Sequence, residues 1–159
     1  MSATRAILLT GGTGFVGKAL LRRLLEETSL PIYALLRETP RPWWKRFGLN
    51  ESEASRVRPL FGDLRQASLG LRAEEVAALG GHDELEVWHV GALTDLSPHV
   101  EAEVFEANAL GTRHLLELLD ALHLGELSCF HHISTIGVAG DLQAPKVIRE
   151  RLLARGRFM

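Results

Sequence analysis

Three glycines at three-residue spacing lie near the start of the chain, within the segment Thr10-Gly-Gly-Thr-Gly-Phe-Val-Gly17. Gly11 permits a sharp turn, Gly14 has no Cβ to keep an anion away, and Gly17 lets a helix pack closely on a strand. The N–H groups of the first helical turn, at the positive end of the helix dipole, would then face a diphosphate. The pattern therefore predicts a dinucleotide site between the first strand and the first helix.

Arg37 lies 20 residues beyond Gly17, at the end of the second predicted strand, where dinucleotide sites place the residue that contacts the adenine ribose. An Asp or Glu there binds the ribose hydroxyls of NAD, whereas a guanidinium makes charge-assisted hydrogen bonds to a 2′-phosphate. Each such bond contributes about 1.5–3 kcal/mol, which shifts the preference toward NADP by about ten- to a hundredfold. Arg37 therefore predicts NADP as the cofactor, with NAD less favoured; a solvated arginine at a strand end is the alternative.

Short apolar segments alternate with amphipathic ones along the chain, as expected for strands and helices that position such a site. The predicted strands are residues 6–10, 32–36, 57–61, 85–90 and 128–133. The predicted helices are residues 15–27, 73–79 and 100–122, and the first is expected to bury Val16, Leu20 and Leu24. Residues 38–55 predict a loop with a short helical piece, in which Trp43 and Trp44 pack on the domain. The fold class expected is α/β, a Rossmann-type doubly wound parallel sheet with strand order 3-2-1-4-5.

The composition favours one globular domain. The chain has 159 residues, of which 46% are hydrophobic, enough for one core and too few for two ordinary domains. The net charge of −2, with Lys and Arg interspersed among Asp and Glu, argues against a nucleic-acid partner. Apolar runs are too short for a membrane span, and no signal-peptide pattern opens the chain, so a cytoplasmic location is expected.

Cys129, His131 and His132 lie close together in the fifth predicted strand. Adjacent histidines point to opposite faces of a strand, so we predict one buried and one hydrogen-bonded histidine, and no metal site. Cys129 is expected in the core, and because it is the single cysteine it excludes an internal disulfide.

Further motifs follow the glycine segment in a fixed order. They are Gly62-Asp-Leu64, His89-Val-Gly-Ala92, Asn108-Ala-Leu-Gly-Thr112 and His132-Ile-Ser-Thr-Ile-Gly-Val-Ala-Gly140. With the glycine segment, this set resembles the extended short-chain dehydrogenase/reductase superfamily, and most closely its thioester-reductase or male-sterility-type acyl reductase branch. The matches span about residues 6 to 140, which is nearly all of the chain.

The resemblance implies a role for each matching residue. The pyrophosphate would be held by Thr10, Gly11, Thr13, Gly14, Phe15, Val16 and Gly17. Arg37 would bind the 2′-phosphate. The adenine would lie against Asp63 and Leu64, and the nicotinamide and its ribose against Gly91 and Ala92. Thr135, or alternatively the neighbouring Ser134, would orient the carbonyl of a small-molecule or carrier-bound acyl thioester, reduced to an aldehyde or alcohol by NADPH.

The chain departs from that superfamily in its last part. The superfamily's proton donor is a Tyr followed four residues later by a Lys, but the single tyrosine here is Tyr33, and Lys146 has Leu142 four positions before it. Without a positioned acid, hydride reduction loses about 10²- to 10⁴-fold in rate. We therefore expect a dinucleotide-binding domain over residues 1–140 and an atypical tail over residues 141–159. A truncated gene, a frameshift or a fragment would each give this pattern, with a sheet incomplete at its C-terminal side and little activity in the chain alone.

The sequence is also compatible with two other functions. A sugar epimerase or dehydratase of the same superfamily is disfavoured by Arg37, while a non-catalytic dinucleotide sensor is favoured by the absence of the Tyr and Lys pair. A sheet that ends at the fifth strand would also expose an edge and predicts self-association.

Overall fold

The computed structural model describes residues 4–37, 42–95, 97–122 and 126–134. Its strands are β1 (Arg5–Thr10), β2 (Ile32–Leu36), β3 (Val57–Phe61), β4 (Glu84–His89) and β5 (Glu126–His132). Its α-helices are α1 (Phe15–Glu27), α2 (Trp44–Phe47), α3 (Glu51–Ala54), α4 (Ala73–Gly80), α5 (Glu101–Phe105) and α6 (Gly111–Ala121). A π-helical turn, Glu106–Leu110, joins α5 to α6. No helix within these ranges is long and apolar enough to cross a membrane.

The strands form one parallel sheet in the order β3-β2-β1-β4-β5, which confirms the predicted α/β Rossmann-type fold and its strand order. Register across the centre of the sheet brings Thr10 of β1 opposite His89 of β4, and His89 opposite His132 of β5. The carboxyl ends of three strands therefore meet in one row. In open parallel sheets, ligands bind along this edge.

Apolar side chains from alternate strand positions build a core on each face of the sheet. On one face, Leu8 and Val87 pack with Leu115 of α6; on the other, Leu9 and Ile32 belong to the cluster around α1. Strands covered on both faces read as continuous apolar runs, which is why β1 and β2 are recognisable in the sequence.

Helix α1 has the predicted bounds, but its buried stripe is different. Leu21 and Leu25 are buried with Gly17, whereas Val16 is 52% exposed. The two remaining predicted core positions, Leu20 and Leu24, are half-buried, and both pack against the cluster around α1. Because Gly17 must face the strand for the helix to approach it, the i, i+4 and i+8 positions counted from that glycine set which face is inward.

The segment after β2 folds back under the glycine turn. Phe47 at the end of α2 is fully buried, and a Cβ placed on Gly12 would lie 2.7 Å from its ring. Trp43 and Trp44 are half-buried against the same cluster, as predicted from the sequence. The short helical piece predicted here is two helices, α2 and α3, and Asn50 begins the second with a reciprocal cap to Glu53.

The predicted core position of Cys129 is wrong, because the thiol is exposed on β5. β5 is the last strand of the sheet within the described residues, so the side chain has a strand neighbour on one side only. His132 is exposed rather than buried, while His131 is hydrogen-bonded, with its Nε2 3.2 Å from a carboxylate oxygen of Glu86. The tail over residues 141–159 lies outside the described residues.

Candidate dinucleotide-binding site

The glycine turn runs from the end of β1 to the start of α1. Gly11 has φ +72°, the left-handed region, and a Cβ there would lie 2.5 Å from the backbone nitrogen of Gly91. A Cβ on Gly17 would lie 2.8 Å from the carbonyl carbon of Gly11, so the helix and the turn touch backbone to backbone. Both positions therefore need glycine for the reasons that the sequence indicated.

The N-terminus of α1 has no side-chain cap. Gly14 is the N-cap residue, no side chain accepts a hydrogen bond from the first turn, and that turn contains no acidic residue. The first N–H groups of an α-helix have no partner inside the helix, and an anion placed there is stabilised by them and by the helix dipole. Phe15, 95% exposed, and Val16 lie in this open first turn. The first turn of this 13-residue helix is therefore uncapped next to the glycine turn.

A cleft of about 280 Å³ opens at the carboxyl edge of the sheet beside this turn. Of the residues predicted to bind the cofactor, it is lined by Gly11, Thr13, Arg37, Asp63, Leu64, Gly91 and Ala92. Arg65, Leu93 and Glu103 line it as well, and the sequence motifs assign them no role. Gly14, Phe15, Val16 and Gly17 lie at the start of α1 and are not part of its lining.

Charged side chains gather at one end of the cleft. Arg37 is exposed at the end of β2 and, among the described residues, forms no hydrogen bond or ion pair. Arg65 donates two hydrogen bonds to the Asp63 carboxylate, from Nε to Oδ1 at 3.0 Å and from Nη2 to Oδ2 at 2.7 Å. These hydrogen bonds lower the pKa of the Asp63 carboxyl, and the charge of Arg37 adds to the effect. Asp63 is therefore held as a carboxylate, and the donors of Arg37 have no hydrogen-bond partner among the described residues.

Thr10 contributes to the site from beneath it. The side chain is fully buried, and its hydroxyl lies 2.7 Å from Nδ1 of His89 and 3.1 Å from the backbone nitrogen of Gly91. Its hydroxyl is thus engaged with the β4 loop and does not project into the cleft.

His89 is a buried polar residue to which the sequence motifs assign no role. It is 2% exposed at the end of β4, and its Nε2 lies 2.9 Å from the hydroxyl of Thr112 on α6. Burial lowers its pKa to about 4, with His132 adding to the effect, so the ring is neutral near pH 7. The signal is present in the sequence, because His89 opens the His-Val-Gly-Ala motif that supplies two lining residues.

Asn108 lies in the π-helical turn and holds the loop that follows β4. Its amide oxygen accepts from the backbone N–H of Leu93 at 2.7 Å, and its amide nitrogen donates to the Leu93 carbonyl at 2.9 Å. Its own carbonyl accepts from the hydroxyl of Thr112 at 2.6 Å. A π-helical turn shifts the helical hydrogen bonds by one residue, and here this turn carries the Asn108 side chain that pairs with the cleft wall.

The predicted catalytic hydroxyls are only partly described. Ser134 is exposed two residues beyond the end of β5, at the carboxyl edge that carries the cleft. Thr135 lies outside the described residues. Tyr33, the single tyrosine, is buried in β2 and its hydroxyl contacts Arg58, His82 and the carbonyl of Ala78. Tyr33 is therefore a core residue and does not stand beside the cleft.

No group of three or more metal-ligating side chains is assembled anywhere in the described ranges. Cys129 and His131 are neighbours on β5, with Sγ 3.8 Å from Nδ1, and the His131 ring stacks on Trp88 at 3.7 Å between ring centroids. His131 is thus held by the side chains of Glu86 and Trp88.

Comparison with known proteins shows which sequence family the chain matches. The sequence pattern of the NAD-binding family described as male sterility protein matches residues 9–156. The chain is 35% identical over 144 residues to a linear gramicidin synthase of Brevibacillus parabrevis, covering 85% of this chain and 3% of that protein. It is 28% identical over 149 residues to fatty acyl-CoA reductase 2 of Mus musculus, covering 84% of this chain and 28% of that protein.

A solved structure agrees with these relatives. The terminal R domain from the myxalamid PKS-NRPS biosynthetic pathway superposes with a TM-score of 0.69 at 35% identity. The match covers 87% of this chain and 36% of that one. The chain therefore spans between 3% and 36% of the length of these three relatives.

Proposed function

Because this chain belongs to the family described as male sterility protein, whose members are NAD(P)-binding domains of the thioester-reductase type, we propose that it holds NADPH for the reduction of an acyl thioester. The observation that carries this proposal is an uncapped helix N-terminus beside the cleft together with Arg37 in the cleft lining, which forms no hydrogen bond among the described residues. The first suits a diphosphate and the second suits a further phosphate.

The residues present fit the parts of such a cofactor. Backbone N–H groups after Gly14 would bind the diphosphate, because no side chain caps them. Gly11 and Gly17 allow the turn that places these groups, because a Cβ at either position would meet backbone atoms. Arg37 would bind the 2′-phosphate, and the fixed carboxylate of Asp63 would accept a hydrogen bond from the adenine amino group. When bound, NADPH supplies the hydride that reduces the thioester carbonyl. The hydroxyl of Thr135, or of Ser134, would donate a hydrogen bond to that carbonyl.

The substrate class is proposed from the relatives. The Brevibacillus relative is named as a gramicidin synthase, the myxalamid R domain belongs to a PKS-NRPS pathway, and fatty acyl-CoA reductase 2 is named for an acyl-CoA. A thioester of an acyl group, on coenzyme A or on a carrier protein, is the substrate chemistry that we infer for these proteins in common. We place this chain's reaction in the same class.

Calorimetric titration with NADPH and NADH tests the cofactor assignment. Arg37→Ala should weaken NADPH binding by about ten- to a hundredfold, because a charge-assisted bond to the 2′-phosphate is lost, and should leave NADH binding unchanged. Arg113→Ala is the matched control, since Arg113 pairs with Glu117 on the exposed face of α6 and does not line the cleft. Tighter binding of NADH than of NADPH by the wild type, with a ratio that Arg37→Ala does not alter, would contradict the proposal.

A second function, dinucleotide binding without catalysis, is favoured by one specific observation. The single tyrosine of the chain is buried in β2 among Arg58 and His82, so it cannot act as the acid at the carboxyl edge. A turnover assay separates the two functions.

A further inference from the structure

We propose that His89 is a positioning residue for the dinucleotide: by hydrogen bonds to Thr10 and Thr112 it fixes the wall of the cleft against the glycine turn. The inference rests on the proposed function, because it concerns the same cleft. His89 itself is buried and does not line the cleft, so it acts through the residues that do.

A network of hydrogen bonds runs from Gly91 and Thr10 through His89 to Thr112 and Asn108. The direction of each bond follows from the one at Asn108. The Asn108 backbone carbonyl can only accept, so the Thr112 hydroxyl donates its one proton to it, at 2.6 Å. The Thr112 oxygen must therefore accept from Nε2–H of His89, 2.9 Å away. In a neutral imidazole the other nitrogen is then a lone-pair acceptor.

The near end of the network closes in the same way. With Nδ1 of His89 as acceptor, the Thr10 hydroxyl donates to it at 2.7 Å and accepts from the Gly91 N–H at 3.1 Å. Every side-chain polar atom of Thr10, His89 and Thr112 in this buried and part-buried network thus has a partner of the correct kind. Since buried polar groups are costly when unpaired, the arrangement specifies one tautomer and one placement of the ring.

The network reaches the cleft at three places. Thr10 directly precedes Gly11, Gly91 is itself in the lining, and Asn108 pairs with both backbone groups of Leu93, another lining residue. The fit is close, since a Cβ on Gly91 would lie 2.8 Å from Leu64 and 3.1 Å from the Thr10 hydroxyl. Loss of the His89 bonds would therefore loosen the turn, the β4 loop and the π-helical turn together.

Calorimetric titration of NADPH into His89→Leu, Thr112→Val and Thr112→Ser tests the inference. His89→Leu and Thr112→Val should each raise the Kd for NADPH by about tenfold, because each removes the hydrogen bond between these two side chains and leaves the remaining partner unpaired. Thr112→Ser keeps the hydroxyl and should return the Kd to within about twofold of the wild type. Should His89→Leu fail to fold, the Thr112 pair carries the test.

His82→Leu is the matched control for a histidine lost elsewhere. His82 is half-buried, with Nε2 3.0 Å from the Tyr33 hydroxyl, and it precedes β4, at the opposite end of the strand from His89. Its replacement should lower stability without changing the Kd for NADPH.

The outcomes separate this inference from the proposed function. If the wild type binds no NADPH, the proposed function fails; nitrogen NMR of the His89 ring then still tests the tautomer, which must carry its proton on Nε2. If the wild type binds and His89→Leu and Thr112→Val bind equally well, the inference is overturned and the proposed function stands. A Thr112→Ser variant as weak as Thr112→Val would assign the effect to methyl packing and would also overturn it.

Discussion

At the scale of single residues, the site depends on groups whose charge is fixed by their surroundings. Arg65 holds Asp63 as a carboxylate by lowering its pKa, and burial holds His89 neutral with a pKa of about 4. The titratable group that faces His89 is His132 on β5, with the two ring centroids 5.1 Å apart, while its partners Thr10 and Thr112 are uncharged. Protonation of His89 would turn its acceptor nitrogen into a donor and oppose the Thr10 bond.

This arrangement predicts a loss of stability in mild acid. The pKa of His89 is lower in the folded chain than its ordinary value of 6.5, so between pH 6.5 and about 4 the unfolded chain binds more protons. The contribution is complete above pH 6.5 and declines as the pH falls toward 4. Going from pH 7 to pH 5 should therefore cost about 2 kcal/mol of unfolding free energy from this group.

Urea unfolding at pH 7 and pH 5 measures this loss. His89→Gln retains a donor toward Thr112 and does not titrate, so its pH dependence should be smaller than that of the wild type by the same amount. Burial also lowers the pKa of His82, which acts in the same direction but is common to both proteins, and the difference between them isolates His89. Parallel pH profiles for the two proteins would rule out a buried neutral His89.

At the scale of secondary structure, the close approach of α1 to the glycine turn is the feature that builds the site. Gly17→Ala should destabilise the chain by about 1–3 kcal/mol and weaken NADPH binding, because the new Cβ meets the backbone of Gly11 and Gly12, which cannot rotate away. Urea unfolding and calorimetry measure the two effects. Gly80→Ala is the control, since a Cβ there meets Leu122 at an ordinary 3.5 Å and should change stability by less than about 0.5 kcal/mol. Equal stability of Gly17→Ala and wild type would show that α1 is not seated by this contact.

The sequence predicts these elements well where one local pattern dominates. β2 and β3 have the predicted bounds, and β2 is the continuous apolar run expected of a buried parallel strand. The buried face of α1 is not predictable in this way, since apolar periodicity alone does not say that Gly17 faces the sheet. Residues 106–110 fall inside one long predicted helix, because a π-helical turn has no separate periodicity.

The candidate site shows the same division. The glycine turn, Arg37 and the Asp63 loop are predictable, since each follows directly after a strand and carries a residue type suited to phosphate or adenine. Arg65 and Glu103 reach the cleft only through the packing of the loop after β3 and of α5. The role of His89 depends on Thr10 and Thr112, 79 and 23 residues away, and no local pattern joins them.

At the scale of the whole molecule, dinucleotide binding and turnover should separate. The chain contains the described cleft, but its single tyrosine, Tyr33, is buried within β2 and does not reach that cleft. Incubation with NADPH and an acyl-coenzyme A thioester should therefore give cofactor binding with NADPH oxidation slower by about 10²- to 10⁴-fold than in a reductase that has a positioned acid. Absorbance of the reduced nicotinamide measures the rate. Oxidation as fast as in the myxalamid R domain, assayed in parallel, would exclude the non-catalytic function.

The position of Phe47 under Gly12 has a consequence for any attempt to re-engineer this chain. The ring supports the glycine turn from below, and it belongs to the segment that follows β2 and Arg37. A substitution at position 37 leaves the contact between Phe47 and Gly12 in place. We therefore expect that a single substitution there can change the nucleotide preference without disturbing the turn. An insertion between Trp43 and Phe47 would instead move the ring away from Gly12 and leave the glycine turn without this packing contact, whatever residue stood at position 37.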